Sequence, residues 1–279
     1  MIGMNKLGPH GRLGNQMFQY AALRGIASNR KLEYCVPDHS EVTEFNSDSE
    51  RLYHQLQTCF EVPDLNNNLG LVSGPELVME QYEFNEDLFN NCPDNISLKG
   101  YFESEKYFKH IEEDIRKEYT FKEDILNHVS SKYSEILSQK PVSICVRRFL
   151  PDFDYPGVEN YHLNLDENYY KKAMDFFGPE RIFIITSNDF AWCYNQDIFQ
   201  STNVIFNDKI YNEVNKGHFD LCLASLCADN IIVNSTFSWW GAWLNNNSDK
   251  TVIAPNSWFG PGSMQHNTKD LIPEKWIKL

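Results

Sequence analysis

The chain contains no run of about 20 consecutive apolar residues, so nothing in it reads as a membrane-spanning helix, and its first residues lack the pattern of a secretion signal. Positive charge is scarce: 25 Lys and Arg against 39 Asp and Glu leave a formal net charge of −14. That balance excludes nucleic acid and an anionic bilayer as electrostatic partners. It leaves a nucleotide open, because a few local arginines hold a diphosphate even in an acidic protein. No Cys-x-x-Cys pair occurs. The seven cysteines, at 35, 59, 92, 145, 193, 222 and 227, show no zinc spacing. An odd, scattered set fits reduced thiols, and the expected location is the cytoplasm. The glycosylation sequons Asn95-Ile96-Ser97 and Asn234-Ser235-Thr236 then read as chance matches. Asp152-Phe153-Asp154 has the letters of a metal-bridging Asp-x-Asp, but it follows an arginine pair that already supplies positive charge, so no metal is expected.

What is present is ample material for a core. Of 279 residues, 42% are hydrophobic and 14% aromatic, enough for one large domain or two smaller ones. Apolar spacing predicts a helix over 17–29 and a short strand over 32–36, followed by a weakly patterned stretch over 38–70. A strand over 96–102 and helices over 104–118 and 124–138 come next, and then an apolar strand over 142–146. Beyond it, strands at 181–185, 203–206, 230–233 and 251–254 alternate with helices at 167–177, 218–227 and 238–245. Such alternation means parallel sheet with helical crossovers. The expected boundary lies near 138, giving domains 1–138 and 139–279.

In an open parallel sheet, ligands sit beyond the carboxyl ends of the strands, so the residues that follow each strand carry the functional reading. Near the N-terminus, His10-Gly11-Arg12-Leu13-Gly14-Asn15-Gln16-Met17 places two glycines just before a helix. Gly11 and Gly14 let backbone approach a ligand, the helix start offers N–H groups to a phosphate, and Arg12, Asn15 and Gln16 add donors. After 142–146 come Arg147 and Arg148, two guanidiniums that can neutralise a departing diphosphate. After 181–185, Thr186-Ser187-Asn188-Asp189 either lines the cleft or caps the next helix. After 230–233 comes Asn234-Ser235-Thr236-Phe237-Ser238-Trp239-Trp240-Gly241-Ala242-Trp243, in which Ser235, Thr236, Phe237 and Ser238 open a helix and form a second anion cradle. Asp220 is a lone carboxylate on an otherwise apolar helix.

Three of these blocks carry a family resemblance. The N-terminal Gly-Arg-Leu-Gly-Asn-Gln-Met-Phe-Gln-Tyr-Ala, the Arg147-Arg148 pair and the Asn234–Trp243 segment, in this order, resemble the α-1,2-fucosyltransferases of glycosyltransferase family 11. The resemblance extends through Lys99–Phe108 and Tyr169–Met174. It departs at the arginine motif, where Cys145 stands at the usual histidine and Phe149-Leu150-Pro151-Asp152 replaces Gly-Asp. It implies a GT-B-like α/β fold of two Rossmann-like domains facing one cleft, with an acceptor-side N-terminal half and a GDP-fucose-binding C-terminal half. The implied reaction moves L-fucose from GDP-β-L-fucose to a glycan hydroxyl with inversion, with galactose O2 as the expected acceptor position, no cofactor and no metal. Arg148 and Arg147 would hold the diphosphate, and Asp220 would read the two guanine N–H donors. For the base, the segment after the arginines offers Asp152 first, then Asp154, with Glu159 and His162 further on. Peripheral membrane contact follows if the acceptor is lipid-linked.

Two other readings fit fewer residues. A degenerate, non-catalytic nucleotide-sugar or glycan-binding relative would explain the altered arginine motif. A dinucleotide oxidoreductase would use Gly11, Gly14 and Asp38, but the third glycine is missing and the other two blocks are left idle.

Overall fold

The computed structural model describes residues 1–38, 54–152, 154, 156–207 and 217–279. The chain divides into two compact units, Met1–Lys122 with Asn267–Pro273 and Glu123–His266 with Glu274–Leu279. The division falls ahead of position 138, because the helices over 123–138 belong with the second unit. Part of the weakly patterned stretch over 38–70 lies outside the described residues.

The first unit runs β1 (Ile2–Gly3), α1 (Leu13–Arg30), β2 (Tyr34–Cys35), α2 (Leu56–Cys59), β3 (Glu76–Val78), α3 (Glu86–Asn91), β4 (Ile96–Lys99) and α4 (Glu112–Glu118). Its strands pair in parallel in the order β2-β1-β4-β3. β1 and β3 are too short for an alternation pattern to register in the sequence. α1 starts at Leu13 rather than at 17, so Gly14 lies in its first turn. Met17, Phe18, Tyr20, Ala21 and Leu23 are fully buried along it. The expected helix over 104–118 is continuous only over α4, with two short 3₁₀ turns before it.

The second unit runs α5 (Glu123–Lys132), α6 (Ser134–Ser138), β5 (Val142–Val146), α7 (Val158–Tyr161), α8 (Glu167–Phe177), β6 (Phe183–Ser187), α9 (Phe190–Tyr194), β7 (Val204–Phe206), α10 (Gly217–Leu226), β8 (Asp229–Ile231), α11 (Thr236–Leu244), β9 (Val252–Ala254) and β10 (Ile277–Lys278). All six strands pair in parallel, in the order β10-β9-β8-β5-β6-β7. Val142, Ile144, Phe183, Ile185, Ile231 and Ile253 from four neighbouring strands form the core with Tyr170 and Ala173 of α8. α8 begins on a cap: Asp166 accepts from the Tyr169 N–H at 3.2 Å. α5 packs on α10, where His128 meets Phe219 with ring centroids 4.7 Å apart. That contact assigns α5 to this unit.

In each sheet the chain reverses its direction of growth at one place. In the first unit it lies between β1 and β4, and in the second between β5 and β8. At such switch points the connections leave to opposite sides and open a crevice at the strands' carboxyl ends. The Gly11 loop follows β1 and Gly100–Glu103 follows β4. The arginine pair follows β5 and Asn234–Ser238 follows β8. Four of the sequence blocks thus converge pairwise on the two switch points.

Candidate active site

In the second unit, β5 delivers Cys145 into a small cavity of about 10 Å³, lined also by Thr186, Asp220, Asn230, Phe237 and Ser238. Burial pushes the Cys145 thiol up to about 12. Asp220 acts in the same direction, and Arg147 with the hydroxyls of Ser238 and Thr186 acts against it. The thiol is therefore neutral near pH 7. Asp220, on α10, is raised from 3.8 to about 7 by burial, opposed by a 2.6 Å bond from Asn207 Nδ2 to its Oδ1.

The two arginines part company. Arg147 pairs with the Asp154 carboxylate, donates to the Arg148 carbonyl at 2.8 Å and lies over the Phe149 ring at 4.9 Å. Asp154 is in turn held by the Leu150 N–H at 3.1 Å. Arg148 turns the other way. Its guanidinium stacks on Trp192 of α9 at 4.6 Å and donates to the Leu165 carbonyl at 3.3 Å, and its buried Nε has no hydrogen-bond partner among the described residues. Successive side chains of an extended chain point to opposite faces, so Arg147 falls on the Cys145 side and Arg148 does not.

Two asparagine clips hold this backbone. Asn188 accepts from Arg148 N–H and donates to Arg148 C=O, both at 2.8 Å. Asn164 does the same for Phe149, at 2.8 and 3.1 Å. The segment keeps a defined path even though its residues depart from the usual Gly-Asp. Asp189 caps α9 through the Trp192 N–H at 2.9 Å, the capping alternative for this segment, while Thr186, within β6, lines the cavity beside Cys145.

At the end of β8, Ser238 Oγ bonds the carbonyls of Val233 and Ser235 at 3.1 and 3.0 Å. Its hydroxyl closes the turn at the start of α11, and a helix N-terminus of this kind is suited to an anion. Asn234 Nδ2 ties in the carbonyls of Leu163 and Trp258, each at 2.9 Å. Past Ser238 the segment is core: Trp239 and Trp240 are fully buried, and Gly241 allows α11 to close on α10, since a Cβ there would meet Ala224 at 2.9 Å.

Among the candidate bases, Asp152 and Glu159 are exposed. His162 stacks on Phe149 at 4.2 Å, and burial, with Arg147 adding to it, lowers it to about 4 against an opposing pull from Asp154. It is neutral near pH 7.

In the first unit, Gly11 adopts φ +109°, a conformation that favours glycine, and a Cβ there would strike Asn15 at 2.7 Å. Arg12 is exposed just ahead of α1. Gln16 Nε2 bonds the Gly8 and Gly11 carbonyls at 3.1 and 2.9 Å, and its Oε1 accepts from Gln55 N–H at 2.7 Å. Its amide shapes the loop. Gln19 joins the loop to the end of β4 through the His10 and Gly100 carbonyls at 2.7 and 3.1 Å, and His10 stacks on Tyr101 at 4.6 Å.

Glu103, which carries no signal in the sequence, is buried near this switch point with Oε2 unbonded among the described residues, and burial raises it to about 8. Its folded value lies above its ordinary 4.5. The stability it allows is therefore intact below about pH 4.5 and is lost as pH climbs towards 8. Glu103→Gln should raise the melting temperature by several degrees at pH 8 and hardly at pH 5. An equal gain at both values would show that the carboxyl's ionisation is not the cause.

Two parallel-sheet α/β units, with an arginine and a helix N-terminus at a switch point of the second, give the chain a GT-B-like fold. Known proteins place the chain further: it belongs to glycosyltransferase family 11, whose model, "Glycosyl transferase family 11", matches residues 1–279. The O-antigen biosynthesis glycosyltransferase WbnK of Escherichia coli is 29% identical, with 96% of this chain and 98% of WbnK covered. The alpha-1,2-colitosyltransferase of Escherichia coli is also 29% identical, with 96% of each chain covered. The galactoside alpha-(1,2)-fucosyltransferase 1 of Rattus norvegicus is 28% identical over 85% of this chain and 62% of its own. Among solved structures, POFUT1 in complex with GDP shares the fold at a TM-score of 0.54 and 10% identity, covering 90% of this chain and 97% of that one. The NodZ alpha-1,6-fucosyltransferase soaked with GDP-fucose does so at 0.51 and 12%, covering 87% and 91%. Among the described residues no helix is long and apolar enough to cross a membrane, and no group of three or more His, Cys, Asp or Glu side chains could hold a metal ion. All seven cysteines are free thiols.

Proposed function

We propose that this chain transfers L-fucose from GDP-β-L-fucose to a sugar hydroxyl of a glycan, with inversion, in an α-1,2 linkage to galactose. The observation that carries the reading is the convergence of Arg147 and the α11 N-terminus on the β5/β8 switch point of a family 11 chain. In the reaction the bond from fucose C1 to the GDP oxygen breaks and the acceptor oxygen bonds to C1 from the opposite face. The leaving diphosphate gains charge as the sugar takes on oxocarbenium character, so stabilising that charge is the main catalytic task.

Arg147, with Asp154 orienting it, is the residue best placed to meet the diphosphate. The first-turn N–H groups of Thr236, Phe237 and Ser238 add neutral donors, with Ser235 ahead of them. Arg148 braces the same backbone against Trp192 and Leu165. Asp220 accepts from the guanine edge. Asp152 takes the acceptor proton, with Glu159 the next residue exposed on that side. In the first unit, the loop of Gly11, Arg12, Gly14, Asn15 and Gln16, with the His10–Tyr101 stack, is a surface for sugar hydroxyls and rings. The reduced thiols agree with a cytoplasmic site of action. No cofactor takes part, and the partners are the donor and a glycan, a lipid-linked one bringing peripheral membrane contact.

The test is transfer by the purified chain from GDP-fucose to a panel of galactose-terminated glycans, with and without EDTA. The expected result is an α-1,2-fucosylated product in undiminished yield under chelation, because arginine supplies the charge a metal would otherwise bring. GDP binding without turnover on any acceptor would favour the non-catalytic relative. A loss on chelation that Mn²⁺ restores would overturn metal independence.

A further inference from the structure

Asp220 does not stand alone. Its Oδ1 accepts from Asn207 Nδ2 at 2.6 Å, and the Asn207 Oδ1 accepts in turn from the Tyr133 hydroxyl. Asn207 is 1% exposed and Tyr133 2%. Asn207 follows β7 directly, and its N–H donates to the Ile185 carbonyl at 3.0 Å, so sheet hydrogen bonding fixes where its amide sits. Tyr133 comes from the end of α5. Its hydroxyl decides which way the amide faces: with Oδ1 engaged by an O–H, the NH₂ must point at Asp220. Asp220 Oδ2 accepts no bond from the described residues, and Asp220 is one of the residues lining the cavity that holds Cys145 and Ser238.

We propose that the Tyr133–Asn207 pair is a positioning device that keeps Asp220 ionised and oriented as an acceptor, and so makes GDP binding dependent on pH around neutrality. This rests on the reading of Asp220 as the residue that meets guanine.

The chemistry is that of a carboxylate in a dry site. Guanine offers two N–H donors, which a carboxylate satisfies and a carboxylic acid does not. Burial favours the neutral acid and brings Asp220 up to about 7, and the Asn207 amide is the hydrogen bond that opposes it. The other groups on the packed elements do not replace that bond. Cys145 on β5 is a neutral thiol that raises Asp220's burden of negative charge when ionised. His128 on α5 and His218 on α10 are engaged on the ring of Phe219, at 4.7 and 4.4 Å. α11 carries no titratable side chain over Thr236–Leu244. Where the family resemblance has a histidine, Cys145 offers no cation, and among the described residues it is the Asn207 amide that bonds Asp220. The sign is distinct: a carboxylate gains acceptor strength as pH rises, whereas an imidazole loses the charge that would attract a diphosphate.

The experiment is calorimetric titration with GDP from about pH 5.5 to about pH 8.5 on wild type, Asn207→Ala, Tyr133→Phe and Asp220→Asn. The phosphates of GDP titrate alike in all four, so differences between curves isolate the protein. For Asn207→Ala the midpoint of the affinity rise should move up by about one pH unit. Affinity should fall about fivefold at pH 7 and recover at the alkaline end. Tyr133→Phe should move the midpoint the same way by less, and it decides the matter if Asn207→Ala does not fold. Asp220→Asn should bind weakly with the protein-dependent rise gone. A uniform loss of affinity at every pH in the Asn207 and Tyr133 variants, or no shift in either, overturns the proposal while leaving the donor assignment standing. Failure of the wild type to bind GDP at any pH overturns the donor assignment itself.

Discussion

Arg147→Ala should lower the rate of fucosyl transfer about a hundredfold, equivalent to roughly 3 kcal/mol of transition-state stabilisation, while leaving the circular dichroism spectrum unchanged. The guanidinium is partly exposed on the cavity side of the chain, and its partner Asp154 lies in a loop, so no core packing is lost. Arg147→Lys should recover little, since one ammonium cannot hold Asp154 and a diphosphate oxygen in the same plane. Arg148→Ala should behave differently. It removes a cation from the face of Trp192 and a bond to Leu165 O, so its first effect should be on the melting temperature and its effect on turnover smaller. Steady-state kinetics beside thermal melts separates the two. Near wild-type turnover in Arg147→Ala with collapse in Arg148→Ala would exchange their roles.

The largest effect on stability is expected at Trp239. Its ring is fully buried, stacked with Trp243 at 6.2 Å, edge-on to Trp240 at 4.9 Å and tilted against Trp276 at 5.3 Å. Trp239→Ala leaves a cavity that three rigid rings cannot fill by small shifts, and should cost about 3–5 kcal/mol. That corresponds to a fall of roughly 10 °C in the melting midpoint of the second unit. A Trp239→Phe variant should lose less than half as much, because a ring remains for the others to pack on. A melting temperature unmoved by Trp239→Ala would mean that the tryptophans serve a ligand rather than the core.

That contrast shows how the sequence could and could not be read. The segment Asn234–Trp243 is the most distinctive in the chain, and as a string it reads equally as an anion cradle or as a cap followed by aromatic core. In the structure they separate at Ser238. The residues before it shape a helix N-terminus at the switch point, and those after it are buried. The period of an α-helix decides this: once α11 is laid between α10 and the sheet, the rings have nowhere to go but inward. The arginine pair gave the same difficulty on a smaller scale. Adjacent in sequence, Arg147 and Arg148 are chemically equal, and only the alternation of an extended chain sends one towards Cys145 and the other towards Trp192. Asn207 was within reach of the rule used for the other strands, because it directly follows one. An isolated asparagine before a polar stretch carries no signal in the sequence until its partners, Tyr133 and Asp220, are known. Asp154 looked like a candidate base, and its pairing with Arg147 depends on a loop path that asparagines 164 and 188 hold from a distance.

By itself the sequence determined the class of the protein. The alternation of apolar strands with amphipathic helices required parallel sheets, because only crossovers connect such strands. The order of the glycine loop, the arginine pair and the Asn234–Trp243 segment was enough to point to family 11. The tertiary structure decided which of these residues work together. Strand order put β5 beside β8 although β6, β7 and some 80 residues separate them in the chain. That order placed a guanidinium and a helix N-terminus at one crevice, and packing brought Tyr133 into line with Asn207 and Asp220, which lie 74 and 87 residues further along the chain. Local sequence encodes secondary structure through periodicity and caps, which span a few residues. The pairing of side chains across a sheet depends on topology and register, which no short stretch of sequence contains.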